Sequence, residues 1–598
     1  MKRLAAFKNP EFYKSQAMRL STYNIPRIIS LSDESKKYLA LPRGVEDNIN
    51  KFCSNYGISA KWIDETNNGK LIDVCFNGEL KNEQKIAVDE MLKYNNGILS
   101  ATTAFGKTVI GANLISQRKV NTLILVHRVQ LLEQWKNRLS EFLSINEFLP
   151  EIVQKRGRKK KISIIGQIGG GKNQLNKIVD IAVIQSLLDG DDVKELVKDY
   201  GMVIVDECHH ISAISFEKVL KAVNAKYVYG LTATPTRQDG HQPIIYMQCG
   251  KIRYKVDAKK QALNRPFEHY VIPRFTSFKR ASYKNEEKFN ISDVYNEIAN
   301  YEIRNKMIIN DIVDSLKNGR NPLVLTERTI HVEYLNNELK NFCKNVISLT
   351  GGVTPNRTNE ILTLINDIPQ DESFVIVATG KYIGEGFDMP RLDTLFLTMP
   401  ISWKGTLQQY VGRLHRLYEG KTEVIVYDYV DIHVPILERM YSKRLKGYSN
   451  IGYKSKVDLV KIDDANIIFD SSNFINVFSH DILSSTVEIT IVSPFLSKRR
   501  VNMMMKYFDN SNANIIVVTR PISDYKEKDI DNVTACIEIL KSHNIEIKTK
   551  SMIHQKFAII DNRIVWYGSI NLLSYGNSEE SIMRIESNSI ANELLGVL

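Results

Sequence analysis

Apolar residues arrive along this chain in short, nearly unbroken runs, each followed by a longer amphipathic stretch. The runs at 122–126, 181–184, 202–205 and 227–231 carry an apolar or small residue at almost every position. A strand buried on both faces of a parallel sheet reads this way. A second series follows at 322–326, 374–378, 394–398 and 423–427, and a third at 487–492, 514–519, 545–548 and 553–560. Between the runs, apolar residues recur three and four apart, the spacing of helices with one buried face. The pattern predicts an α/β protein with two tandem parallel-sheet lobes, a small N-terminal α+β domain and a C-terminal α/β domain. The expected divisions are an accessory domain (1–75), a first lobe (76–265), a linker (266–300), a second lobe (301–450), a linker (451–475) and the C-terminal domain (476–598).

The first candidate chemistry lies where one apolar run meets a helix. Thr103-Ala104-Phe105-Gly106-Lys107-Thr108 joins Gly97-Ile98-Leu99 to an amphipathic stretch beginning at Val109. Strand, tight loop and helix start point backbone N–H groups and the positive helix end at an anion. Lys107 would reach the β/γ phosphates of a nucleotide and Thr108 would hold magnesium. Ala101 stands where the usual phosphate loop has its first glycine. Downstream, the run at 202–205 ends in Asp206-Glu207-Cys208-His209-His210. Carboxylates at the carboxyl end of a buried parallel strand fit the rule for ligand sites in such sheets. Asp206 would complete a magnesium shell and Glu207 would orient or deprotonate the attacking water. In the second lobe, Gln409, Arg413 and Arg416 are three and four apart, so one helix face would present both arginines to a γ-phosphate.

Together these segments resemble the superfamily-two helicases, with an XPB-like flavour. Asp206–His209 corresponds to motif II, Thr232-Ala233-Thr234 to motif III, Gly384–Asp388 to motif V and Gln409–Arg416 to motif VI. The resemblance implies two RecA-like lobes, ATP with Mg2+ in a cleft, and nucleic acid across both lobes. It also makes Gln84 an adenine-reading glutamine and adds Gly384 and Asp388 to the nucleotide site. Thr103, Ala104, Phe105 and Gly106 supply the loop that wraps the phosphates.

The C-terminal domain carries a second constellation, His554-x-Lys556 with Asp561 and then Gly568-Ser569-x-Asn571. On a strand through 553–560, His554 and Lys556 would share one face and Ile553 and Phe557 the other. An imidazole beside an ammonium suits a phosphodiester, the ring as nucleophile and the lysine neutralising phosphate. Asn571 can donate to a phosphoryl oxygen. The pattern resembles the phospholipase-D superfamily, especially its single-motif nucleases, and implies that Glu579, or failing it Glu580, supports the histidine. The chemistry needs two histidines, one to attack and one to protonate the leaving oxygen, and no metal. With one motif per chain, a homodimer through the C-terminal domain is expected.

Charge and cysteines refine the picture. A net charge of +12 suits a polyanionic partner, and the XPB-like resemblance implies DNA in preference to RNA. Six dispersed cysteines argue against a disulfide framework or zinc site and fit a cytoplasmic protein. No run approaches the ~20 apolar residues of a membrane span. Lys155–Lys161 is a basic stretch read as a solvated loop or a DNA-contacting hairpin, and the aromatic and basic residues Phe12, Tyr13, Arg19, Tyr23 and Arg27 as a small domain's core and rim or a stacking surface. Phe7–Tyr13 and Trp403–Leu407, with the phosphate loop, resemble helicases of TOTE-type prokaryotic conflict systems, which implies a role against foreign DNA. The leading reading is a helicase–nuclease. The competing one is a non-cutting DNA or RNA remodeller whose C-terminal domain only dimerises or grips nucleic acid.

Overall fold

The computed structural model describes the chain apart from residues 150–151, 154–158, 161–162, 191, 211–213, 236, 238, 277, 281–289, 352–359, 362, 366, 381–388, 403, 432–433, 456–467, 471–473 and 575–579. Two compact units emerge, Met1–Asp257 and Ala258–Leu598.

The first unit is built on an eight-stranded sheet. Its order is Lys172–Gln174, Ile165–Gly169, Val179–Val183, Thr122–Val126, Met202–Asp206, Tyr227–Thr232, Asn96–Ser100 and Ile252–Lys255, parallel except for the first pair. Alternate residues of each strand feed two cores. Ile124, Val126 and Ile204 face one, while Leu123, Leu125, Val203 and Val205 face the other. Each such side chain contributes about 1.5–3 kcal/mol of burial, which is why consecutive apolar residues mark these strands. Leu31 and Val45 join the second core, so the N-terminal segment packs on this lobe. Within the basic stretch, Lys159 and Lys160 pair antiparallel with Val153 and Ile152.

The second unit opens with a seven-stranded, wholly parallel sheet. Its order is Val346–Leu349, Val375–Thr379, Pro322–Thr326, Thr394–Leu397, Glu423–Val430, Glu268–Phe275 and Lys454–Ser455. Two expected linkers therefore hold sheet strands. Glu268–Phe275, within 266–300, pairs along its whole length with Glu423–Val430, and Lys454–Ser455, within 451–475, adds the edge. Only His269, Val271 and Pro273 of the former strand are buried, so its alternating pattern lacks the unbroken apolar run of a central strand. Ile468–Asp470 likewise joins the C-terminal sheet, opposite Ser581–Glu586.

That third sheet is mixed. Ile468–Asp470, Ser581–Glu586, Ile564–Gly568, Phe557–Ile560 and Glu488–Val492 run antiparallel to their neighbours, and Asn514–Thr519 and Glu546–Thr549 continue parallel. Both faces are covered. Ala558, Ile560 and Trp566 face a core shared with Phe478, Val501 and Met504, from two helices of the domain. Phe557, Ile559, Tyr567 and Met583 face a core shared with the second lobe. There the lobe's helix Pro435–Asn450 places Tyr441 6.1 Å from the Tyr567 ring, and Phe275 lies 5.7 Å from it. The Tyr441 hydroxyl contacts Met583 Sδ at 4.0 Å.

Candidate active sites

The phosphate loop takes the expected form. Strand Asn96–Ser100 gives way to a turn in which Ala104 (φ 68°) and Gly106 (φ 93°) are left-handed, and helix Lys107–Arg118 follows. Gly106 is needed twice over. Its φ favours glycine, and a Cβ there would lie 2.5 Å from Gln84 Nε2. Gln84 is buried, donates from Nε2 to Phe105 O at 2.7 Å and accepts from Lys81 N at 2.9 Å. The glutamine assigned to adenine is thus tied to the loop assigned to phosphate. Thr108 lies in the first turn of the helix.

Strand Met202–Asp206 delivers the two carboxylates to the same place. Lys107 Nζ donates to Glu207 Oε1 at 2.6 Å. Burial alone would raise the Glu207 pKa, but the Lys107 ammonium and then His209 hold it well below the usual range. Burial pushes Asp206 up, and the neighbouring Glu207 charge adds to the rise. Glu207 itself adopts φ 45°, strained for a non-glycine residue and of the kind that collects at functional sites.

Two features were missed by sequence reading. Trp135, from helix Val129–Phe142, donates from Nε1 to Asp206 Oδ2 at 2.7 Å, while Glu207 N donates to Oδ1 at 3.0 Å. The Asp206 carboxylate is therefore fixed at both oxygens, each retaining a lone pair. Gly111 makes room for the indole, since a Cβ there would lie 2.7 Å from Trp135 Cη2. The second feature is a relay. His209 Nδ1 lies 3.3 Å from Glu207 Oε2 and 3.0 Å from Thr232 Oγ1, which accepts from Thr234 N at 3.1 Å. Motif II is thereby joined to Thr232-Ala233-Thr234.

In the second lobe one expectation is corrected. The helix Lys404–Val411 ends before the arginines, and Arg413 and Arg416 follow in a tight turn, half-buried. Arg413 N bonds Tyr410 O and His415 N bonds Gly412 O, three residues back in each case. Three-residue spacing, not a continuing α-helical face, sets their direction. The buried His415 ring, bonded to the Tyr453 hydroxyl at 2.9 Å, anchors the turn. Gly384 and Asp388 lie outside the described residues, as does Trp403.

The C-terminal constellation is also corrected in one respect. The strand is Phe557–Ile560, so His554 and Lys556 sit on the loop before it rather than on its face. Lys556 Nζ donates to His554 O at 3.1 Å. Met552 at φ 60° bends the chain into that loop, and nothing in the alternation of apolar residues announces such a bend. Asn571 is buried with its Oδ1 unpartnered among the described residues, and its backbone N–H turns to Glu580. Burial raises the Glu580 pKa while Lys556 opposes the rise. Glu579 lies outside the described residues. The helix Pro435–Asn450 brings further charge. Its buried Glu438, raised by burial, feels the Lys556 ammonium. Asp561 plays a structural part, accepting from Ser485 Oγ at 2.7 Å and Val487 N at 2.9 Å.

Comparison with known proteins finds three matching stretches of the chain. Residues 77–237 match the type III restriction enzyme res subunit, residues 304–418 the helicase conserved C-terminal domain, and residues 478–597 the cardiolipin synthase PLD-like domain. A protein of Invertebrate iridescent virus 6 named as a helicase, 161L, is 28% identical over 412 residues, covering 67% of this chain and 87% of its own. Protein L396 of Acanthamoeba polyphaga mimivirus, named as an ATP-dependent RNA helicase, is 26% identical over 65% of this chain and 70% of its own. The DNA 3'-5' translocase XPB2 of Sulfurisphaera tokodaii is 31% identical over 31% of this chain and 37% of its own. Among the described residues no helix is long and apolar enough to cross a membrane. With both helicase domains present and a PLD-like domain behind them, the chain is a superfamily-two helicase, an ATP-using and nucleic-acid-binding enzyme, with a phospholipase-D-like C-terminal domain.

Proposed function

We propose that the protein is an ATP-driven DNA motor that carries its own phosphodiester-cleaving domain. The clustering of Lys107, Glu207 and Asp206 at the carboxyl edge of the first sheet carries this reading. Magnesium takes most of its shell from phosphates and water, so the donor set of Asp206 and Thr108 fits it. When bound, the ion would neutralise and polarise the triphosphate. Lys107 exchanges Glu207 for the β/γ phosphates, and the released carboxylate orients the attacking water and takes its proton. Gln84 reads adenine, and the loop from Thr103 to Gly106 cradles phosphate. Loss of the Lys107 contact passes through His209 to Thr232 and Thr234. By the helicase resemblance, Arg413 and Arg416 are assigned to the γ-phosphate, and Gly384 and Asp388 to the nucleotide. The net charge of +12 suits a polyanion, and the name of the XPB2 relative, a DNA translocase, favours DNA.

In the C-terminal domain, His554 serves as nucleophile in one copy and proton donor in the other, which requires a homodimer. Lys556 neutralises the phosphate, Asn571 donates to a phosphoryl oxygen, and Glu579 or Glu580 supports the site, with no metal taking part.

Wild type, Lys107→Ala and His554→Ala are compared on single-stranded, duplex and forked DNA, with and without ATP and EDTA. Lys107→Ala should lose ATPase, and His554→Ala should lose nicking that persists in EDTA. Nicking by His554→Ala at the wild-type rate would dispose of the nuclease assignment, and undiminished ATPase in Lys107→Ala would dispose of the motor site.

A further inference from the structure

Strand Asn514–Thr519 ends at Arg520, whose guanidinium reaches the loop that holds His554. Its Nε donates to Ile553 O at 3.0 Å, and its Nη2 lies 3.1 Å from His554 Nδ1. The guanidinium carbon stands 4.7 Å from the centroid of the Phe495 ring, a side chain 42% exposed. A guanidinium has only donors and stays protonated at any pH a protein tolerates. Nδ1 must therefore offer its lone pair, and the neutral ring carries its proton on Nε2.

This is an idle state of the imidazole. The Nε2 lone pair that would attack phosphorus is occupied by a proton. The imidazolium that would protonate a leaving oxygen needs a second proton on Nδ1, where it would point at Arg520. Burial comes first in holding His554 below its usual pKa, followed by the charges of Arg520, of Arg439 on helix Pro435–Asn450, and of Lys556. All three cations therefore work against protonation of the ring.

We propose that Arg520 is the phosphate-reading residue of the C-terminal site, and that a phosphodiester must draw its guanidinium off His554 before the ring can react. The inference rests on the phosphodiesterase reading above. Guanidinium and phosphate join through two parallel charge-assisted bonds, each stronger than a bond to a neutral ring. Once Arg520 turns to the substrate, solvent exchange moves the ring proton from Nε2 to Nδ1, with no net gain or loss, and the Nε2 lone pair is freed. Phe495 supports the guanidinium face through the move. Without a phosphate to read, the histidine stays latched.

The test uses full-length Arg520→Gln and Arg520→Lys, with thermal melting as the fold control. Cleavage of a DNA oligonucleotide in EDTA and hydrolysis of bis(p-nitrophenyl) phosphate are followed across pH. Arg520→Gln should raise KM for the oligonucleotide about 10- to 100-fold, the loss expected for one charged hydrogen-bonding group, with kcat nearly unchanged. Its acid limb in kcat/KM should move to higher pH, because the ring regains proton affinity, and Arg520→Lys should recover part of the KM. A fall in kcat at constant KM with an unmoved acid limb overturns the proposal and leaves Arg520 a scaffold residue. Wild type inert toward both substrates removes the phosphodiesterase reading itself, and this inference with it.

Discussion

Replacing Trp135 with phenylalanine tests the best-defined contact of the nucleotide site. The substitution keeps an aromatic ring in the buried slot beside Gly111 and deletes the N–H that reaches Asp206 Oδ2 at 2.7 Å. A hydrogen bond to a charged acceptor is worth about 1.5–3 kcal/mol. If Asp206 is the protein's carboxylate ligand for magnesium, that loss appears as misdirection of the ligand oxygen. At 1.36 kcal/mol per decade it amounts to an about 10- to 150-fold drop in kcat/KM. Steady-state ATPase measured across a magnesium titration should show the half-saturating concentration rising, while nucleotide binding in EDTA stays close to wild type. Phenylalanine also leaves a void, so melting temperature is recorded to separate lost stability from lost alignment. Gly111→Ala attacks the same contact from the other side, because its Cβ would meet Trp135 Cη2 at 2.7 Å and displace the indole. Both variants should therefore shift magnesium dependence in the same direction. A Trp135→Phe enzyme with wild-type magnesium dependence would show that Asp206 holds its direction unaided, and the reasoning would be wrong.

Asp428→Asn should destabilise the second unit by about 3–5 kcal/mol, because it strips the countercharge from a buried guanidinium. Arg444 Nε reaches Asp428 Oδ2 at 2.8 Å and Tyr448 donates to the same carboxylate at 3.0 Å, so an unchanged thermal midpoint would refute the account. His331, held by Thr326 Oγ1 at 2.9 Å and Asn305 Oδ1 at 3.1 Å, has its pKa pushed down to about 3 by burial and then by Arg304. Its contribution is intact above the ordinary histidine value of 6.5 and falls away as pH drops from there toward about 3. His331→Gln should therefore flatten the acid side of the melting-temperature profile, and a parallel profile would count against it. Asp561 has the same sign in a lower pH window, its folded pKa lowered below 3.8 because hydrogen bonds from Ser485 and nearby backbone N–H groups outweigh burial. The stability deficit of Asp561→Ala should be largest at neutral pH and shrink as the wild-type carboxyl protonates below 3.8. Thermal melts from pH 7 to 3 would show it.

The parallel strands were legible because burial on both faces leaves a continuous apolar signature, as at Thr122–Val126 and Met202–Asp206. Glu268–Phe275 was hidden because one side of it meets only the two-residue strand Lys454–Ser455, so polar residues survive on its partly covered positions. The candidate nucleotide residues, of which Lys107, Asp206 and Glu207 come together in the fold, stood out because such a loop, lysine and carboxylates form a recognisable motif. Trp135 and Arg520 could not, since each meets its partner only through tertiary folding, 71 and 34 residues away in sequence. The helix end at Val411 and the loop before Phe557 were misjudged for a related reason. Periodicity records which residues face a core, and says little about where the backbone leaves its regular path.

Producing the last domain by itself would be an instructive failure. Cutting the gene near codon 476 would discard the helix bearing Tyr441, and Phe557, Ile559, Tyr567 and Met583 would lose the surface that now shelters them. A fragment with that much greasy sheet facing water should stick to itself and come out of cells as inclusion bodies. Bench work on the cutting chemistry would do better to start at Ala258, so that the tyrosine-lined joint travels with the domain.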